Sequence, residues 1–139
     1  MHATIAFPPR DTVRFDLPAT ATRCSGEKSL LLQAVSPEGI GVLVRLRYRD
    51  SLVSDSFPVV SADDAATVPA AVVAVRYFIH ESPHSIVMDS GTVHVLRQRA
   101  AVSARVAGSA LENAIRTPTR IEFDHVPLRA DTVTCASAP

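Results

Sequence analysis

Tryptophan is absent, lysine occurs once, at Lys28, and aromatic side chains make up only 5% of the chain. Single-stranded nucleic acids are bound on aromatic stacking platforms, and carbohydrate sites usually use the same device. The few rings here (Phe7, Phe15, Tyr48, Phe57, Tyr77, Phe78, Phe123) mostly fall inside apolar strand patterns that favour core packing. A surplus of one charge is also missing: fourteen Lys and Arg balance fourteen Asp and Glu. That balance argues against a general nucleic-acid binder and gives no reason to expect an anionic membrane surface as partner. The five glycines are scattered singly, which excludes a phosphate-cradling loop. No apolar run approaches the ~18 residues of a membrane span; the longest, from Val68 to Val75, is strand-length. The opening MHATIAFPPRD lacks a charged segment followed by an apolar stretch, so it does not read as a signal peptide.

What is present reads as β structure in one domain, 1–139. The chain is 47% hydrophobic, enough to bury a sizeable core. Thr12 to Leu17 alternates polar and apolar until Pro18, and Ser29 to Val35 is an apolar run closed by the turn residues Ser36-Pro37-Glu38-Gly39. Gly41 to Arg49 is the clearest strand: Val42, Val44, Leu46 and Tyr48 share one face, and Arg45, Arg47 and Arg49 share the other. A short apolar piece follows at Phe57–Val60. Val68 to His80 is long and β-branched. Further strands are expected at 85–88, 92–96, 101–107, 119–126 and 131–135. Ser109 to Arg116, SALENAIR, is the best short-helix candidate. The expected fold is an all-β antiparallel sandwich or partly closed barrel of about eight to ten strands.

The two cysteines, Cys24 and Cys135, bracket most of the chain. A bond between them closes a loop of about 110 residues and stabilises by roughly 4–5 kcal/mol in the chain-entropy treatment. Such a bond implies an oxidising, exported location.

The stretch His80-Glu81-Ser82-Pro83-His84 matches the letters of the H-E-x-x-H zinc-hydrolase motif. That motif requires a helix, which brings the two imidazoles onto one face with the glutamate beside the metal-bound water. Pro83 lies between the histidines, where its ring would clash with the Ile79 carbonyl and cost about 3 kcal/mol or more. The flanks read as strands, so a turn between strands is expected. A metal-dependent hydrolase using His80, Glu81 and His84 is the disfavoured alternative. His94 and His125 fall on separate strand candidates without coordinating spacing. Gly108-Ser109-Ala110 lacks the second glycine of a nucleophile elbow. No cofactor or catalytic residue is expected.

Arg45, Arg47 and Arg49 are the candidate ligand-binding residues. Alternate strand positions place their guanidinium groups on one face about 6.5–7 Å apart, and the arginine fork suits carboxylates, phosphates and sulfates. The competing reading is a solvated strand face paired with acidic neighbours. Three further stretches, Gly91-Thr92-Val93-His94-Val95, Val102 to Leu111 and Ile121 to Leu128, resemble the C-terminal half of small bacterial lipoproteins and secreted β proteins of unknown function. The resemblance implies an envelope or extracellular location and a β fold, and it carries over no catalytic residue. The expected function is an exported, non-catalytic envelope-type domain that binds a protein partner or small ligand, or is structural. The alternative within the same fold class is a carrier holding a small hydrophobic molecule inside a barrel.

Overall fold

The computed structural model describes residues 1–135, which form eleven strands and no helix. They are β1 (His2–Phe7), β2 (Asp11–Asp16), β3 (Thr20–Cys24), β4 (Ser29–Val35), β5 (Gly41–Arg47), β6 (Asp55–Pro58), β7 (Ala70–Ile79), β8 (Ser82–Val87), β9 (Ser90–Arg97), β10 (Ala101–Glu112) and β11 (Ile115–Val133). They run in the order β6-β9-β10-β11-β3-β4-β5-β7-β8, with β1 added beside β11 and β2 beside β1. Every pairing is antiparallel except β11 with β3.

The long strand β11 shapes the molecule. Its first part pairs β10 on one side and β1 on the other, while Leu128, Thr132 and Val133 pair Ala21, Arg23 and Cys24 of β3. One chain segment therefore belongs to both layers. The first layer is β2-β1-β11-β10-β9-β6, and the second is the end of β11 with β3-β4-β5-β7-β8. Between them lie Ile5, Phe57, Val93, Ile121 and Phe123 from the first layer and Leu30, Leu32, Val42, Val44, Leu46, Val73 and Tyr77 from the second, all at most 2% exposed. Each such side chain contributes about 1.5–3 kcal/mol of burial free energy. The sheet does not close on itself, so the barrel alternative gives way to a sandwich-like domain.

Strands 29–35 and 41–47 follow the expected alternation: on β5, Val42, Val44 and Leu46 are fully buried while Arg45 and Arg47 face outward. Three expectations change. β1 and β3 were not visible as strands; β1 is held between β2 and β11, and β3 between β4 and the end of β11. The pieces expected at 119–126 and 131–135 are parts of the one strand β11. The helix expected at 109–116 is instead the end of β10, a turn and the start of β11. Ser109 pairs with Pro118, Leu111 with Arg116, and Glu112 with Ile115. A lone helix of two turns is marginal in water, whereas here the ladder extends an existing hairpin and buries Ala110 and Thr117. Asn113 and Ala114 take φ of 51° and 65°, the left-handed pair of a two-residue hairpin turn.

Close backbone approach dictates one glycine pair. Gly91 (φ 131°) lies opposite Gly108, and a Cβ added at 108 would overlap the Ser90 carbonyl and sit 2.8 Å from the Gly91 Cα.

Candidate functional site

The metal-motif stretch is a strand–turn–strand. Ile79 pairs with Ser82 across a two-residue turn in which His80 and Glu81 have φ of 47° and 71°. Such a turn makes 79/82 a hydrogen-bonded pair and 78/83 a non-hydrogen-bonded one. The nitrogen of Pro83 therefore faces away from β7. Strand β8 ends the sheet order, so the missing N–H costs the ladder nothing. The helical face that would align His80 with His84 is not formed, and the two imidazoles serve different carboxylates. His80 Nε2 lies 3.6 Å from Asp11 Oδ1 and is 85% exposed, whereas the His84 side chain is 18% exposed and bonded through Nδ1 to Glu112.

His84 stacks on Tyr77 at 5.2 Å with an interplanar angle of 13° and meets Phe7 edge-on at 5.3 Å. The Tyr77 hydroxyl donates to the other oxygen of Glu112 at 3.4 Å. Burial, followed by the charge and the hydrogen bond of Glu112, pushes the Tyr77 phenol up to about 12. This cluster joins the edge strand β8 to the far end of β10, one layer to the other. Its chemistry is that of an oriented imidazole and a neutral phenol around one carboxylate.

Arg45 and Arg47 lie on the outer face of β5, as the alternation requires, but the strand ends at Arg47 and the expected third member of the row, Arg49, lies in the bend beyond it. Arg45 donates to the Glu27 carboxylate and to the Cys135 carbonyl, the latter at 3.1 Å. Arg47 Nη2 is 3.9 Å from Asp64 Oδ1, and Arg49 donates to the Val68 carbonyl at 3.0 Å. The side chains of Arg45 and Arg47 are each only 18% exposed. Arg45 thus ties Cys135, just beyond β11, to Glu27, while Arg47 lies beside the loop before β7 with its Nε and Nη2 buried and without a hydrogen-bond partner among the described residues. Asp64 is held within that loop by the Thr67 amide and hydroxyl and the Ala66 amide. With Arg47 nearby, these contacts hold its carboxyl below the ordinary range. Cys24 and Cys135 are joined in a disulfide across the same end, with Cα atoms 5.5 Å apart.

A surface groove of about 490 Å3 lies on the opposite side of the molecule, on the outer face of the first layer. Cross-strand register builds it. Ser56 of β6, His94 of β9, Arg105 of β10, Glu122 of β11, His2 of β1 and Asp16 of β2 stand in one row across six strands. A second feature adds His125. Between Val102↔Val126 and Ala104↔Phe123, β10 supplies one residue, Ser103, while β11 supplies Asp124 and His125. This bulge puts both of those side chains outside, with His125 at φ 46° and its amide donating to Ser103 Oγ at 3.0 Å.

The groove thus collects three of the five histidines, each held through Nδ1: His2 by Asp16, His94 by Ser56 Oγ at 2.9 Å, and His125 by Gln98 Oε1 at 2.8 Å. Arg105 has no hydrogen bond or ion pair among the described residues. Sequence reading noticed His94 and His125 but could not bring them together. The one local signal was Asp124-His125, two polar residues in succession inside an alternating strand. Comparison with family models, curated proteins and solved structures finds no match to this chain.

Proposed function

We propose that the chain is an exported, non-catalytic β-sandwich domain of bacterial-envelope type that binds a partner or small ligand on an outer sheet face. The observation that carries this reading is the Cys24–Cys135 bond, which ties residues 111 apart in sequence and implies an oxidising compartment. A binding role is supported by an outer groove of ligand size above a core of buried side chains. The His84–Glu112 pair is read as structural, because it links β8 to β10 and both side chains are mostly buried.

Free-thiol titration of the native chain, with and without reductant, tests the compartment. No reactive thiol before reduction and two after it are expected; two reactive thiols in the unreduced native protein would overturn the export reading. No helix among the described residues is long and apolar enough to cross a membrane.

A further inference from the structure

We propose that the groove on the outer face of the first layer binds a small oxyanion-bearing molecule, a carboxylate or phosphate, more tightly in acid than at neutral pH. The proposal rests on the binding-domain reading and assigns its site.

The unpaired guanidinium of Arg105 is the anchor. It sits in the row between His94 and Glu122, and an arginine fork accepts two oxygens of one anion. Around it, the Nδ1 contacts to Asp16, Ser56 and Gln98 fix each imidazole; Nε2 of His2 and of His94 is left to meet a ligand, while Nε2 of His125 lies 3.5 Å from Asp124 Oδ1. Hydrogen-bonding one nitrogen to orient the other is how proteins prepare histidine for binding. The bulge adds His125 to this face, in a backbone conformation that non-glycine residues seldom adopt.

Spacing argues for a molecule over a single ion. His94 and His2 stand three strand intervals apart, about 14 Å at the usual inter-strand distance. No three His, Asp or Glu donor atoms in this groove come within 4.8 Å of one another among the described residues. Charge argues for pH dependence. With neutral imidazoles the groove and its rim hold one cation, Arg105, and three anions, Glu122, Asp124 and the Asp16 bonded to His2. Histidine is the side chain that changes charge between pH 5 and 8, and three of them lie in this groove. The groups facing them are Asp16 and Glu122 beside His2, Arg105 and Ser56 beside His94, and Asp124, Gln98 and Ser103 beside His125.

The test is calorimetric titration of the intact chain with tripolyphosphate and, separately, citrate, at about pH 5.5 and about pH 8. Saturable binding at the lower pH is expected, roughly tenfold weaker at the higher one, and the tighter of the two probes identifies the oxyanion class. Arg105→Gln should weaken binding at both pH values, and His94→Gln should reduce only the acid enhancement. Arg10→Gln, which removes the same charge at the β1–β2 turn, should change nothing. Arg105 and His94 are exposed, and circular dichroism melts check that the variants fold. Absence of binding by both probes at both pH values overturns the proposal. So does equal binding by wild type and Arg105→Gln, or a loss with Arg10→Gln as large as that with Arg105→Gln. Any of these leaves the thiol result, and with it the export reading, standing.

Discussion

Replacing both cysteines by serine removes a constraint whose size follows from the chain path. The bond joins positions 111 residues apart, from the end of β3 to just beyond β11. Fixing two points that far apart removes about 16 cal/mol/K of unfolded-chain entropy, or about 4.8 kcal/mol at 25 °C. Domains of this size are stable by only about 5–15 kcal/mol, so the loss is a large share of the total. The folded state has a second stake in the bond. Cys135 presents its carbonyl to Arg45, and Cys24 pairs with Val133 in the sandwich's one parallel ladder, which has few residue pairs. With a urea slope of about 2 kcal/mol/M, the unfolding midpoint should drop by roughly 2.4 M in Cys24→Ser/Cys135→Ser. Urea unfolding of both proteins by circular dichroism at neutral pH measures this directly. A midpoint shift below about 0.5 M, about 1 kcal/mol at that slope, would refute the reasoning. The two ends of the domain would then be held by the β11–β3 ladder and Arg45 alone.

Other consequences concern single positions. Gly108→Ala should destabilise by about 2 kcal/mol or more in the same assay, because the added methyl meets the Ser90 carbonyl, Met88 and Gly91 in a strand pair that cannot open. Ala114→Gly, at φ 65°, should stabilise by roughly 1 kcal/mol, since the turn already holds a conformation that alanine resists. Ultraviolet titration should find the Tyr77 phenol ionising near about 12, against an ordinary 10.0. The folded chain then keeps a proton that the unfolded chain loses, so stability falls as pH rises through that window; Tyr77→Phe should remove this part of the alkaline loss. For Asp64 the direction is reversed: its lowered pKa gives stability above the ordinary 3.8 that is lost as pH falls through the lowered value, and Asp64→Asn should remove that dependence in acid melts.

Much of the strand pattern was local information. Val42, Val44 and Leu46 alternate with Arg45 and Arg47 in the sequence itself, and period two is a property of the pleat, so the outward arginine row needed no tertiary knowledge. Pro83 likewise excluded a helix between His80 and His84 by its own covalent geometry. Packing against distant chain decided the rest. Thr20–Cys24 is a strand held between β4 and residues of β11 more than 100 positions away; SALENAIR, by contrast, is a local hairpin whose first half pairs with 115–118. The arginines' partners, Glu27, Asp64 and the Cys135 carbonyl, arrive from loops and a chain end with no pattern of their own. His2, His94 and His125 meet because strand order, register and one extra residue in β11 put them on a common face. Alternation is encoded residue by residue. Which strands become neighbours is chosen by the whole core at once, and the groove is a product of that choice.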